Sequence, residues 1–231
     1  MVWGIIGALD KEVALIRDSI QVERVENLFG SEWYIGTYRG QKLVVACSGI
    51  GKINAAICAS TMIREFGAGA VINTGVAGCL TKEIGVLDVV ISERATFHDQ
   101  DMEGLYCRFY PYQKEFIADK GLLDACVRLI EKQDNRNYRY KTGLIVTGDD
   151  FIDDRKVKED IINRLSPLCV EMEGAAIANA AFINKTPFLI IRTMSDNADD
   201  SAGMSFDTFL DIAAPVSAGI VLGLIEEYGY H

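Results

Sequence analysis

The chain has few of the residues from which metal sites are commonly built. Its 231 residues include only two histidines, and its six cysteines are scattered without a Cys-x-x-Cys pair. Zinc sites built on histidine pairs are therefore excluded, and no spacing of carboxylates matches a calcium loop. We expect no structural metal. Several cysteines lie inside apolar runs, so we interpret them as reduced residues that pack in the core.

Positive charge is also in short supply. The chain has 23 Lys and Arg against 33 Asp and Glu, a formal net charge of −10 at pH 7. Long-range repulsion makes nucleic-acid backbones and anionic membrane surfaces poor partners. The N-terminus has no basic segment, and its first apolar run breaks within seven residues, which is typical of neither a signal peptide nor a membrane span. We expect a cytosolic protein that binds a small uncharged or cationic substrate.

Short apolar runs punctuated by glycine alternate with stretches of helical periodicity. With 49% apolar residues, the chain supports one core and a single domain over residues 1–231. The alternation predicts an α/β sandwich, and the pattern across the turn Arg39-Gly40 predicts one antiparallel pair within a mixed sheet. Strands are predicted at 2–6, 43–46, 70–72, 86–91, 144–146, 168–170 and 188–191. Helices are predicted at 11–19, 52–66, 114–132, 156–165, 174–184 and 205–228.

Carboxylates stand at the ends of three of the predicted apolar segments. Glu171 and Glu173 lie where a strand passes into a helix, Asp196 closes another strand, and Glu12 lies one turn into the first helix. A buried carboxylate costs several kcal/mol unless it is paired. Taken singly, Glu12 also fits a helix dipole and Asp196 a cap. Taken together, the carboxylates could supply the acid, the base and the hydroxyl acceptor that cleavage of a sugar–base bond requires.

Two glycine-containing segments follow predicted strands. Ser48-Gly49-Ile50-Gly51-Lys52 opens a helix and aims backbone N–H groups at an anion or a polar oxygen, although it matches neither a P-loop nor a dinucleotide fingerprint. Residues 73–78 permit close approach of backbone to a ligand. Each segment fits an ordinary turn about as well. His98 has no serine or cysteine partner in the sequence, so we interpret it as a structural histidine with satisfied hydrogen bonds and not as a base.

Six ordered motifs, spread nearly from end to end, resemble those of the bacterial nucleosidases that act on 5′-methylthioadenosine and S-adenosylhomocysteine, within the purine nucleoside phosphorylase superfamily. The motifs occupy residues 4–13, 48–52, 73–78, 147–152, 170–173 and 192–196. The resemblance implies a three-layer α/β/α sandwich around a central mixed sheet, as in nucleoside phosphorylases, and a homodimer. It also implies hydrolysis of the N-glycosidic bond to adenine and a thioribose product, with no cofactor and no metal.

The resemblance assigns a role to each of the three carboxylates. Asp196 is expected to protonate N7 of adenine, Glu12 to activate water on the opposite face of the ribose, and Glu173 to accept hydrogen bonds from the ribose hydroxyls. The other expected substrate-binding residues are Ile50, Ala77, Gly78, Phe151, Ile152, Val170, Glu171, Met172, Arg192 and Ser195.

Some of these residues have more specific expected roles. Phe151 is expected to stack on adenine, while the backbone of Ile152 reads its Watson–Crick edge. Met172 is expected to pack on the sugar, Ser195 to position Asp196, and Arg192 to support the carboxylates on the water side.

The chain departs from the usual family pattern at two places. Val76 stands where many members carry serine, and residues 98–113 do not match the usual loop. In relatives this loop crosses a dimer interface, so four of its residues are candidates for a 5′-substituent pocket supplied by the partner subunit, or for plain interface packing. They are Met102, Leu105, Tyr106 and Phe109.

Other functions stay open at this point. The alternatives are a purine nucleoside phosphorylase, a nucleosidase for another purine nucleoside such as futalosine, aminofutalosine or 5′-deoxyadenosine, and a binding protein without activity. A phosphorylase is disfavoured because Glu12 would repel phosphate. A binding protein would be expected to lack one of the three carboxylates.

Overall fold

The structure is a computed structural model that describes residues 1–134, 136–198 and 202–228. The strands are β1 (Val2–Gly7), β2 (Gln21–Leu28), β3 (Ser31–Tyr38), β4 (Gln41–Cys47), β5 (Ala68–Cys79), β6 (Val89–Phe97), β7 (Phe116–Ile117), β8 (Tyr140–Thr147), β9 (Cys169–Glu171) and β10 (Phe188–Asp196). The helices are α1 (Asp10–Ser19), α2 (Lys52–Arg64), α3 (Lys120–Glu131), α4 (Arg155–Leu165), α5 (Gly174–Asn184) and α6 (Ala202–Tyr228), with one π-helical turn at Met102–Tyr106.

All of these strands belong to one mixed sheet, and β5 is its hub. This strand pairs in parallel with β1 and β10 and antiparallel with β9. From β10 the pairing continues through β6 and β8 back to β9, so five strands close into a ring. On the other side of β5 the sheet runs open through β1, β4, β3 and β2. The predicted mixed sheet is confirmed. Its partial closure could not be predicted from the alternation of strand and helix patterns in the sequence.

The helices pack on the sheet in two groups. Helix α2 packs with α5, while α1 and α3 pack with α6. Strand β5, which joins both parts of the sheet, is buried along almost its whole length, as a strand covered on both faces must be. The three-layer α/β/α sandwich is confirmed, and most of the buried apolar side chains form one core around this sheet.

Two predicted elements differ from the structure. The alternating segment after α1 forms two strands, so that β2, β3 and β4 make an antiparallel meander instead of one pair. Its first turn places Phe29 and Gly30 at positive φ, and phenylalanine gives no turn signal in a sequence. The helix predicted from residue 114 begins at Lys120, because β7 pairs with β6 first and Asp119 then caps the helix through the N–H of Leu122.

Helix α6 carries the longest apolar segment of the described chain. By length and composition, Thr208–Tyr228 could cross a membrane, but 56% of that window is buried inside the protein. The helix packs against β10, β5, α1 and α3. Its hydropathy is therefore accounted for by a place in the core.

Candidate active site

A cavity of about 440 Å³ opens where the carboxyl ends of β1, β5, β8 and β10 meet. Crevices at this edge of an α/β sheet are the usual place for a ligand, and the volume suits a small molecule. Its wall includes these residues expected from the sequence: Glu12, Ile50, Ala77, Gly78, Phe151, Ile152, Val170, Glu171, Met172, Glu173, Ser195 and Asp196.

Five further residues line the same cavity, and the sequence did not single them out as binding residues. They are Ala8, Leu9, Val76, Asp150 and Phe206. The first four lie within the motifs and could have been found by taking every residue of each motif as a candidate. Phe206 could not, because it lies in the first turns of an apolar helix, where its spacing is typical of a core position.

Glu12 is buried at one end of the cavity and is held by the backbone. Its Oε2 accepts hydrogen bonds from the N–H groups of Ala8 (2.7 Å) and Leu9 (2.9 Å), and its Oε1 accepts one from Val76 (2.9 Å). Val76 lacks the hydroxyl group of serine, but its backbone N–H still positions Glu12. Three converging donors fix one orientation of this carboxylate.

Glu171 and Glu173 are two residues apart, yet their oxygens have different hydrogen-bond partners. Both oxygens of Glu171 are engaged within the protein, by the hydroxyl of Thr147, by the guanidinium of Arg192 and by the N–H groups of Glu173 and Gly174. Glu171 touches the cavity but has no oxygen free of such contacts. Its expected contact with substrate stays a prediction. In the structure it binds the guanidinium of Arg192 and accepts hydrogen bonds from the N–H groups at the start of α5.

Glu173 has weaker support from the protein. Its Oε1 accepts from the N–H of Gly51 at 3.0 Å, and its Oε2 lies 3.4 Å from Nη2 of Arg192. Burial raises the pKa of Glu173 to about 8; Arg192 opposes this rise, and the nearby charge of Glu171 adds to it. The folded protein therefore favours the neutral form of Glu173 up to about pH 8.

Arg192 lies behind the cavity and does not appear among its described lining residues. It is completely buried, its Nη2 donates to Asn73 Oδ1 at 2.6 Å, and its Nη1 lies 3.8 Å from Oε1 of Glu12. Although burial disfavours a charged guanidinium, Glu171 and Glu173 raise the pKa of Arg192 further above its ordinary value. One cation is thus shared among three carboxylates, and the expected direct contact with substrate stays a prediction.

Asp196 closes β10 and is 2% exposed. The hydroxyl of Ser195 donates to its Oδ2 at 2.8 Å, and the N–H of Ala198 donates to its Oδ1 at 2.7 Å. Ser195 therefore lies where it positions the carboxyl group. A Cβ on Gly78 would lie 2.9 Å from Oδ1 of Asp196, so the glycine keeps this side of the cavity open.

Aromatic and apolar groups form the wall beside Asp196. Phe151 is 45% exposed, and its ring meets that of Phe206 edge to face with centroids 5.9 Å apart. Ile152 and Val170 also line the cavity and belong to one buried apolar cluster. A flat apolar surface next to a carboxyl group is suited to a planar heterocycle that accepts a proton.

Gly75 allows Glu12 and Arg192 to approach each other closely. A Cβ at this position would lie 2.2 Å from Nη1 of Arg192 and 2.3 Å from Oε1 of Glu12. Such distances are far inside van der Waals contact. The glycine in the segment 73–78 therefore permits close approach between protein groups, where the sequence had suggested approach of a ligand.

The four candidate residues for the 5′-substituent pocket are not alike. Leu105 and Phe109 are exposed by 55% and 63%. Tyr106 packs on Phe97 with ring centroids 5.8 Å apart, and Met102 is buried in the core of its own subunit. Because Met102 is 6% exposed, it is not free to meet a partner's cavity, and Leu105 and Phe109 are the residues that are available.

His98 differs from its expected role in one respect. It is buried and burial lowers its pKa, as for a structural histidine, but its Nε2 has no hydrogen-bond partner. A Cβ on Gly148 would lie 2.1 Å from this nitrogen. The ring is held by packing against the backbone, so its hydrogen bonds are not all satisfied.

Comparison with known proteins agrees with this geometry. The sequence pattern of the phosphorylase superfamily matches residues 3–226. The chain is 37% identical over 232 residues to a 5′-methylthioadenosine/S-adenosylhomocysteine nucleosidase of Staphylococcus saprophyticus, covering 96% of this chain and 98% of that one. It is 33% identical over 227 residues to an aminodeoxyfutalosine nucleosidase of Helicobacter pylori, covering 97% and 98%.

The fold agrees to the same extent. A structure of the 5′-methylthioadenosine/S-adenosylhomocysteine nucleosidase of Colwellia psychrerythraea, in complex with adenine, matches with a TM-score of 0.93 at 32% identity, covering 98% of this chain and 95% of that one. Agreement of this extent in both sequence and fold means that the chain belongs to the phosphorylase superfamily and, within it, to the 5′-methylthioadenosine/S-adenosylhomocysteine nucleosidases.

Proposed function

We propose that the protein hydrolyses the N-glycosidic bond of 5′-methylthioadenosine and S-adenosylhomocysteine, which releases adenine and the thioribose product. The observation that carries this proposal is the convergence of Glu12, Glu173 and Asp196 on one cavity from distant parts of the chain. The names of the relatives support the substrates, and a relative binds adenine.

The base leaves from the Asp196 side of the cavity. A protonated Asp196 gives its proton to N7 of adenine, so that the base departs as a neutral molecule. Ser195 and the N–H of Ala198 hold the carboxyl group in place. Phe151 provides the surface on which the purine stacks, and the backbone of Ile152 reads its edge.

Water attacks from the opposite face, where Glu12 acts as the general base. The three backbone donors and Arg192 hold Glu12 in one orientation, which leaves little motion to be restrained in the transition state. Glu173 accepts hydrogen bonds from the ribose hydroxyls, and Met172 packs on the ring. When Glu173 is ionised, its negative charge stabilises the oxocarbenium-like transition state.

Hydrolysis is favoured over phosphorolysis by the charge of the wall. Among the described lining residues five are acidic and none is Lys or Arg. A phosphate ion would need cationic or N–H groups at the position that Glu12 faces, and it would be repelled there. Arg192, the cation directly behind Glu12, is already shared among Glu12, Glu171 and Glu173.

Release of free adenine from 5′-methylthioadenosine by the purified protein tests this function. We expect adenine and the free thioribose at the same rate with and without phosphate in the buffer. Absence of adenine would refute the proposal, whereas a phosphate requirement with a sugar 1-phosphate product would show a phosphorylase.

A second candidate function is cleavage of aminodeoxyfutalosine. It is favoured by the relative from Helicobacter pylori that carries this name. The two functions share a purine and a ribose and differ in the 5′-substituent, so a panel of substrates compared by kcat/KM separates them.

We further propose that the protein forms a homodimer through α2 and α5. These helices expose Ile53, Ile57, Phe182 and Ile183. A groove of about 540 Å³ runs beside them, and the oxygens Oδ1 of Asn179 and Oε1 of Gln100 are buried nearby without hydrogen-bond partners. A partner subunit would cover the apolar side chains and bring its Leu105 and Phe109 to the 5′ end of the cavity. Light scattering at micromolar concentration tests the dimer.

A further inference from the structure

An ion cluster lies just outside the cavity and plays no part in the proposed chemistry. Lys52 is the first residue of α2, and its Nζ lies 2.5 Å from Oδ2 of Asp99 and 3.2 Å from Oδ2 of Asp149. The Lys52 side chain is only 14% exposed. Its ammonium also lies 5.6 Å from the centroid of the Phe97 ring. The ammonium is therefore more enclosed than that of an ordinary surface salt bridge, although the side chain of Asp149 is 52% exposed.

Backbone groups belong to the same cluster. The N–H of Lys52 donates to Oδ1 of Asp149 at 2.9 Å, and the N–H of Asp149 donates to Oδ2 of Asp99 at 3.1 Å. Three chain segments, which are far apart in the sequence, are therefore joined through side chains and backbone together. Although burial works against the ammonium, the two carboxylates raise the pKa of Lys52, and Lys52 helps to lower the pKa of Asp99 despite its burial.

Two of these segments continue directly into the walls of the cavity. Ile50 lies two residues before Lys52, and Asp150 and Phe151 follow Asp149. Gly51, between Ile50 and Lys52, donates its N–H to Oε1 of Glu173 at 3.0 Å. Gly51 has a φ of 96°, a conformation that does not hold itself in place in a free chain. Restraint of the neighbouring Lys52 would favour the orientation in which this N–H meets Glu173.

We propose that Lys52, Asp99 and Asp149 form an ionic clip, which holds the N–H of Gly51 on Glu173 and so sets the position and the ionisation of the carboxylate that receives the ribose hydroxyls. The clip residues are positioning residues, and their part in turnover rests on the proposed function. The ionisation of Glu173 is measurable without any substrate.

The clip is one of several influences on Glu173. Arg192 on β10 and the Gly51 N–H favour the ionised form, whereas Glu171 on β9 and Glu12 on α1 oppose it. The Gly51 N–H is the only one of these that the clip controls. Loss of the clip removes this donor and makes Glu173 harder to ionise, by about tenfold if one hydrogen bond to a charged group is lost.

The stability of the folded protein reports this ionisation. A carboxyl group with a higher pKa in the folded protein than in the unfolded chain lowers stability as the pH rises between the two values. The difference in unfolding free energy between the parent protein and its Glu173→Gln variant isolates this effect. This difference changes with pH up to an upper limit, which is the pH at which Glu173 ionises in the folded protein.

We would measure this limit in the parent, Lys52→Met and Asp149→Ala backgrounds by urea unfolding from pH 5 to pH 10. The clip predicts that both changes move the limit upward by about one pH unit. A direct charge effect predicts opposite directions, because Lys52→Met removes a positive charge and Asp149→Ala removes a negative one. Opposite shifts, or no shift in either background, would overturn the proposal.

Matched controls separate the clip from general damage. Lys120→Met removes an exposed lysine that pairs with Asp124 on α3, and it should leave the limit unchanged. Lys52→Arg keeps a cation between the carboxylates and should restore the parent behaviour; failure of this rescue in a dimeric, folded variant would count against the clip. Since these readouts need no turnover, they stand apart from the adenine assay. If that assay succeeds, Lys52→Met should lower kcat/KM about tenfold while Lys120→Met should not.

Discussion

Arg192 places its Nη2 3.4 Å from Oε2 of Glu173, while the same nitrogen contacts Glu171 more closely. The guanidinium therefore stabilises Glu171 first and Glu173 only in part. This unequal sharing, together with burial, is why the pKa of Glu173 is raised to about 8.

The first prediction concerns stability against pH. Glu173 is neutral in the folded protein over a range where the unfolded chain is already ionised, so this residue should lower the unfolding free energy by several kcal/mol as the pH rises from about 4.5 to about 8. The Glu173→Gln variant should not show this decline. Urea unfolding of both proteins across the range measures it, and parallel curves would contradict the raised pKa.

Replacement of Asp196 by Asn should remove nearly all turnover. The amide keeps the size of the side chain but cannot deliver a proton to the departing base, so kcat should fall by about 10² to 10⁴-fold. The melting temperature should stay close to that of the parent, which separates lost chemistry from lost fold. Near-normal adenine release by this variant would exclude Asp196 as the general acid.

Gly75→Ala should damage both stability and activity. The added methyl group would lie about 2 Å from Arg192 and Glu12, and overpacking of this kind costs about 1–3 kcal/mol. Gly219→Ala is the matched control, because nothing lies within 4 Å of the Cβ position in α6. The control should be neutral or slightly stabilising, since alanine favours a helix over glycine. Equal effects of the two changes in thermal unfolding would argue against the close approach.

Removal of the buried cation should be severe and dependent on pH. Arg192→Met leaves Glu12, Glu171 and Glu173 without their shared partner, which should cost about 3–5 kcal/mol near pH 7. The loss of unfolding free energy should be smaller near pH 5, because less free energy is needed at lower pH to protonate a buried carboxylate that has lost its partner. Chemical unfolding at both values checks the sign, and a loss independent of pH would point to packing instead of charge.

The residues of the site were largely visible in the sequence, and their partners were not. Glu12, Glu173 and Asp196 lie at or just after the ends of apolar strands, and that local pattern is enough to mark them as candidates. Strands β1 and β10 run parallel to β5, so their carboxyl ends meet at one edge of the sheet. Strand β9 runs antiparallel to β5, so Glu173 reaches the same cavity because five strands close into a ring. The split between Glu171, which is occupied by protein groups, and Glu173, which faces the cavity, depends on where the strand ends and α5 begins.

Phe206 and the closure of the sheet lay beyond such local patterns. Phe206 reaches the cavity only because α6 packs along β10 and β5. The ring of five strands forms because β10 pairs with both β5 and β6. The hydrophobic periodicity of a strand does not predict which strands it pairs with.

The sequence by itself determined the α/β class, the strand ends that carry the acidic residues and the resemblance to nucleosidases, because apolar periodicity and short motifs are local properties. Only the tertiary structure decided which donors each of their oxygens accepts from, and that one arginine is shared by three carboxylates. These relationships join residues far apart in the chain, such as Gly51 with Glu173 and Lys52 with Asp99 and Asp149. Their energies arise from burial and distance, which exist only once the strands have packed.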